Sequence, residues 1–302
     1  MLLSSALLAF SLVASASSSA LRHHNLNYDA ELARSKLMPM SAAAYSNDPE
    51  TCIRNVFAGG NATFYQQRTV ECSAFQKDEK CSGFTALSHS DQAIIISFRG
   101  NINFEMLLSE FSQALFTHEK FIGGGKVARY FLNAFKYVWD GGMKDDFLAL
   151  KNKHPDYEVW ITGHNLGGAI ASVCAANMVF LKQAESEKVR LITFGQPRTG
   201  NRDYADAHDK LVKSSFRVVH NRDGVVHFPI KDFPIEEYQH HKSEVFYAND
   251  MNSASSYVTC PQQEGDSCSD GLLLTVSGED DMHYFGTQHK IDDYGIAGCK
   301  DS

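Results

Sequence analysis

The segment Trp160-Ile161-Thr162-Gly163-His164-Asn165-Leu166-Gly167-Gly168-Ala169 constrains this chain more than any other. Tyr157 to Thr162 has the alternating character of a strand, and a small-residue helix begins near Gly167. Only a few residues remain for the turn, and a glycine stands two positions either side of Asn165.

Ala93 to Ser97 and Val189 to Phe194 are short apolar runs bounded by turn residues, and they read as buried strands. Ahead of Tyr157, Val127 to Trp139 places Phe131, Phe135 and Val138 on one helical face. Gly141-Gly142 interrupts this pattern, and Met143 to Lys153 resumes it with Phe147, Leu148 and Leu150. Strands alternating with helices imply an α/β fold with a mostly parallel sheet covered on both faces. No repeat or Pro/Ser-rich linker divides residues 21–302, which reads as one domain.

Residues 1–20 carry no charged side chain, run apolar from Leu2 to Val13 and offer small-residue cleavage sites at Ala14-Ser15-Ala16 or Ser18-Ser19-Ala20. This reads as a signal peptide on a secreted, extracellular protein, although the usual basic start is missing. The run is shorter than the roughly 20 residues that cross a bilayer, and no transmembrane segment is expected. A net charge of -8 argues against a nucleic-acid partner, which calls for a clustered basic surface. Asn61-Ala62-Thr63 is an N-glycosylation sequon. Of seven cysteines, Cys174 sits among alanines and valine as a buried, unreactive thiol. The other six allow fifteen pairings, of which the short spacings favour Cys72 with Cys81 and Cys260 with Cys268, leaving Cys52 for Cys299.

The turn around Asn165 is similar to the G-x-S-x-G nucleophile elbow of α/β hydrolases. This resemblance implies a positive φ at Asn165, where asparagine is enriched several-fold over most residues, so that Asn165 is expected to relieve strain there. The chain resembles the class 3 (fungal-type) lipases, whose members carry GHSLGG where this sequence has GHNLGG. Supporting stretches follow in family order: Phe98-Arg99-Gly100, Phe194-Gly195-Gln196-Pro197-Arg198-Thr199-Gly200, Arg222-Asp223 with His227-Phe228-Pro229, and His283-Tyr284-Phe285-Gly286. The similarity runs from about Cys52 to Cys299. It implies an α/β-hydrolase fold, a lipid or acyl-chain ligand, no cofactor and no metal, and a Ser, Asp, His triad. Transferred residue by residue, the nucleophile position is Asn165, the acid position Asp223 and the base position Asp281. The oxyanion hole falls on Asn101, where the family has Thr or Ser, and on the backbone N–H of Leu166.

Acyl transfer requires a hydroxyl or thiol beside a base that later protonates the leaving group. Asn165 has no readily transferable proton, and an ionised Asp281 cannot serve as that acid. Losing nucleophile or base costs on the order of a millionfold in turnover, and losing both costs little more. The sequence thus points to an inactive pseudo-lipase that keeps an acyl groove. A weak or rearranged carboxylic ester hydrolase and a structural or partner-binding secreted domain are the alternatives.

Several residues carry secondary expectations. His283 could replace the base if Asp281 to His283 is extended, because residues two apart then face the same way. Asp223 and Asp281, if close, would raise one pKa or recruit a calcium ion. Ile102 to Phe121 fits either a mobile lid over the groove or a core-facing helix. The pairs His23-His24 and His240-His241 read as surface residues.

Overall fold

A computed structural model of the protein describes residues 27–59, 61–72, 80–100, 117–231, 237–273, 275 and 277–300. The signal-peptide residues, His23-His24, Asn101 and most of the expected lid lie outside them.

Eight strands form one sheet in chain order: Ala62–Glu71, Lys80–Ser88, Ala93–Phe98, Glu158–His164, Val189–Phe194, Ser214–His220, Glu244–Tyr247 and Val258–Cys260. The five strands from Ala93–Phe98 to Glu244–Tyr247 run parallel, and antiparallel strands flank them. Successive side chains of a strand face opposite sides of the sheet. Ile94 and Ile96 accordingly pack with Phe131, Phe135 and Val173 on one face, while Ile95 packs with Met40 and Ile53 on the other. Helices therefore cover both faces, as the strand and helix pattern implied. A second sheet of four antiparallel strands joins His118–Lys120, Lys126–Ala128, Gly200–Asn201 and Tyr238–Gln239.

The helix Leu166–Phe180 is buried on every side from Leu166 to Met178, which explains its run of Ala, Gly and Val. The helices Arg129–Val138 and Lys144–Lys153 reproduce the predicted pair, and the break falls at Gly142 with φ 121°. Strand ends shift by one or two residues, as with Glu158–His164 against the expected Tyr157 to Thr162.

The three disulfides are Cys52–Cys299, Cys72–Cys81 and Cys260–Cys268, and Cys174 is a buried free thiol. The first joins the N-terminal helical layer to the C-terminal helix across 247 residues. His240 and His241 correct the surface reading: they are 3% and 1% exposed. His241 stacks on His208 at 3.8 Å, and His240 Nε2 pairs with the Val226 carbonyl at 2.8 Å. No helix of the described residues is long and apolar enough to cross a membrane.

Candidate active site

The turn between Glu158–His164 and Leu166–Phe180 is made by Asn165 alone, at φ 56° and ψ -126°. That ψ lies outside the left-handed helical well in which asparagine is favoured, so the expected relief of strain does not occur. Conformations of this kind cost about 1–3 kcal/mol and persist where neighbours over-determine them. Here the Asn165 N–H donates to the Phe194 carbonyl at 2.9 Å, and the Asn165 carbonyl accepts from Gly168 N–H at 2.9 Å. The flanking glycines have a steric cause. A Cβ on Gly163 would lie 2.3 Å from the Gly167 carbonyl oxygen, and one on Gly167 would lie 2.3 Å from that of Phe98.

The Asn165 side chain is 1% exposed and fully engaged. Its Nδ2 donates to Asp281 Oδ2 at 2.8 Å, and its Oδ1 accepts from Leu166 N–H at 2.7 Å. The backbone donor expected in an oxyanion hole is therefore present and already occupied by the residue's own carboxamide. Asp281 is placed by the short helix Gly278–Met282. A backbone bridge from Asp223 to Ser277 and a hydrogen bond from His220 Nδ1 to the Asp280 carbonyl at 3.0 Å tie that helix to the end of Ser214–His220.

Asp281 meets a second partner. His164 Nε2 lies 2.7 Å from the Asp281 carbonyl oxygen and 3.1 Å from its Oδ1. Both are acceptors, so Nε2 carries the ring proton, and Nδ1 accepts from the Tyr45 hydroxyl at 2.7 Å. A single chain of hydrogen bonds thus runs from Tyr45 through His164, Asp281 and Asn165 to the Leu166 amide. Each side-chain oxygen of Asn165 and Asp281 accepts a hydrogen bond.

Asp223 closes the site from the opposite side. Its Oδ1 accepts from Val225 N–H at 2.8 Å and its Oδ2 from the Tyr284 hydroxyl at 3.4 Å. A Cβ on Gly195 would lie 2.5 Å from Asp281 Oδ1 and 2.9 Å from Asp223 Oδ2, which shows both carboxylates converging on that glycine. Burial and then the Asp281 charge hold the Asp223 carboxyl well above the usual carboxylate range, against the Val225 amide, which lowers it. Burial, reinforced by the two carboxylates, also pushes the Tyr284 phenol up, so it remains a neutral donor.

The family model described as Lipase (class 3) matches residues 95–233, a segment that holds Asn165, Leu166 and Asp223 and stops before Asp281. A Caenorhabditis elegans protein named as a lipase is 33% identical over 294 residues, spanning 88% of this chain and 81% of its own length. The chain belongs to the class 3 lipase family. A lipase of Rhizomucor miehei is 27% identical over 210 residues, 68% of this chain and 55% of that protein. The crystal structure of a lipase from Rhizopus microsporus var. chinensis shares the fold at a TM-score of 0.73 and 24% identity, covering 87% of this chain and 88% of that one.

Within this class 3 lipase-family chain the structure brings Asn165, Leu166, Asp223 and Asp281 together, while Asn101 falls outside the described residues. His283 does not join them. Asp281 is helical, not extended, so His283 turns away and its Nδ1 pairs with the Glu279 carbonyl at 2.9 Å. The four carboxylate oxygens of Asp281 and Asp223, weighed above as a calcium pair, accept hydrogen bonds from His164, Asn165, Val225 and Tyr284. His164 and Tyr45 were missed. His164 adjoins the elbow in sequence, but nothing local marks Tyr45, 119 residues away.

Among the described residues, His208, Asp209 and His241 also come close enough together to suggest a metal site. The rings of His208 and His241 are stacked at an interplanar angle of 17°, which keeps their in-plane lone pairs parallel. His241 Nε2 accepts from Gln196 Nε2 at 2.9 Å, and its Nδ1 donates to the Lys242 carbonyl at 2.9 Å. Both His241 nitrogens are thus engaged in hydrogen bonds, although one ligand atom from each of the three residues lies within 4.8 Å of the others.

Proposed function

We propose that this chain is a secreted, non-catalytic lipase homologue that binds a lipid or acyl-chain ligand. The observation that carries this reading is the engagement of Asn165. Its carboxamide spans the Leu166 amide and the Asp281 carboxylate, the two groups between which an attacking oxygen and its base would stand in a hydrolase. The hydroxyls that do meet acceptors there are phenols, Tyr45 on His164 and Tyr284 on Asp223. Retention of an acyl groove is supported by family membership and by the apolar stretch Ile102 to Phe121. Secretion is supported by the apolar N-terminus and by three disulfides, which form in oxidising compartments.

The names of the relatives favour a second reading, a carboxylic ester hydrolase with rearranged machinery. Purified protein assayed on a short-chain ester and on a triglyceride separates the two. The proposal expects the rate of an enzyme-free control, and saturable turnover would refute it. Displacement of a fluorescent fatty acid then distinguishes a ligand-binding protein from a purely structural domain.

A further inference from the structure

A cavity of about 360 Å³ opens at the end of Leu166–Phe180 remote from the elbow, between that helix, Arg129–Val138 and the tip of the hairpin His118–Ala128. Fifteen helical residues separate it from Asn165, about 20 Å at the usual rise per residue. It is not part of the site described above. Its floor is the buried apolar trio Leu132, Phe135 and Trp139. At its mouth Ile122 and Leu181 are exposed, as is the adjoining Phe180, an unusual gathering of large apolar groups in water.

The rim is basic on a chain whose net charge is -8. Lys120, Lys136 and Lys144 line it against a single carboxylate, Asp140. Lys136 already faces Glu119 at 4.0 Å, and Lys120 and Lys144 supply the remaining positive charge. Gln183 also lines the cavity, and its buried carboxamide oxygen meets no donor. The two ends of an amide are interchangeable by rotation, so this group can turn an N–H towards an anion.

An apolar pit with an ammonium rim and one adaptable amide is complementary to a single-chain amphiphile with an anionic head, and the volume lies within the range of ligand pockets. We propose that this cavity binds a long-chain fatty carboxylate, with the chain against Leu132, Phe135 and Trp139 and the carboxylate between Lys120 and Lys144. This assignment does not rest on the loss of catalysis, since the cavity stands apart from Asn165.

The chain has two tryptophans, and the other, Trp160, lies in the core on the opposite face of the sheet, so Trp139 is a built-in reporter. The test uses the full chain with parinaric acid, a polyene fatty acid that accepts energy from tryptophan, and with its methyl ester. Expected are saturable one-to-one binding, affinity at least about tenfold weaker for the ester, and a similar loss in the Lys120→Glu/Lys144→Glu variant. Trp139→Phe should lower the transfer efficiency more than Trp160→Phe does, while calorimetry still records binding. Leu181→Asp, at the exposed mouth, provides a second block that leaves the floor intact. Undiminished binding in both blocked variants, equal affinity for acid and ester, or transfer lowered no more by Trp139→Phe than by Trp160→Phe would overturn the proposal. So would association with phosphatidylserine vesicles without binding of the monomeric acid, which would identify a membrane-contact surface instead.

Discussion

Asn165 and Asp281, 116 positions apart in the chain, are joined by one hydrogen bond of 2.8 Å in a site where both are buried. A carboxamide donating to a carboxylate is a stable, satisfied pair. In the function proposed above it stands where acyl transfer would require a hydroxyl and an imidazole.

Restoring chemistry therefore requires both positions. Asn165→Ser alone and Asp281→His alone should remain at background in a short-chain ester assay. The double variant, with Asp223 positioned to orient the new imidazole, should rise at least about a hundredfold above either, because nucleophile and base act as a unit. Equal rates in all three would show that the acid or the oxyanion hole is also lost.

Asp223→Asn should stabilise the protein at neutral pH. The folded pKa of Asp223 is raised above its unfolded value, so above about pH 4 the unfolded state releases a proton that the folded state holds, and stability falls as pH rises. Asparagine removes this penalty and can still accept from Val225 N–H. Thermal unfolding at pH 7 should show a gain of at least about 1 kcal/mol, shrinking towards pH 4. A loss at pH 7 would contradict the assignment.

The histidine cluster should make the fold acid-sensitive. Burial, followed by the Arg217 charge, lowers His208 to about 3; burial also lowers His240 and His241 well below the ordinary value, with Arg217 adding to each. The unfolded chain binds protons at these residues below about pH 6.5 while the folded chain does not, so stability should decline from there towards pH 3. Both ring nitrogens of His208 lack a hydrogen-bond partner. His208→Leu should accordingly flatten the decline between pH 6.5 and 4, measured by denaturant titration at each pH, with little change at pH 7.

The Cys52–Cys299 bond closes a loop of 247 residues, and in the chain-entropy account long loops gain most. Replacing both cysteines by alanine should cost about 2–5 kcal/mol. The same change at Cys72 and Cys81, a separation of 9, should cost less. Paired denaturation curves for the two variants test the order.

What could be read in advance depended on neighbours along the chain. A short apolar run bounded by turn residues located Val189–Phe194 to the residue, and apolar spacing located both helices before Glu158–His164, because each pattern is a property of a few consecutive residues. The glycines around Asn165 announced the elbow for the same reason. Asp281 was found through its family pattern, since no local signal marks it as a partner of Asn165.

The amino-acid sequence by itself determined the layered α/β architecture and the identity of the groups at the elbow. Tertiary structure alone decided that the Asn165 carboxamide caps the Leu166 amide, that Tyr45 and His164 extend the chain of hydrogen bonds through Asp281, that His283 turns outward, and that His240 and His241 are buried. The reason is physical. Backbone periodicity is set by residues a few positions apart, whereas the donor that meets a given lone pair, and the burial that shifts a pKa, depend on segments brought together only when the sheet and its covering helices pack.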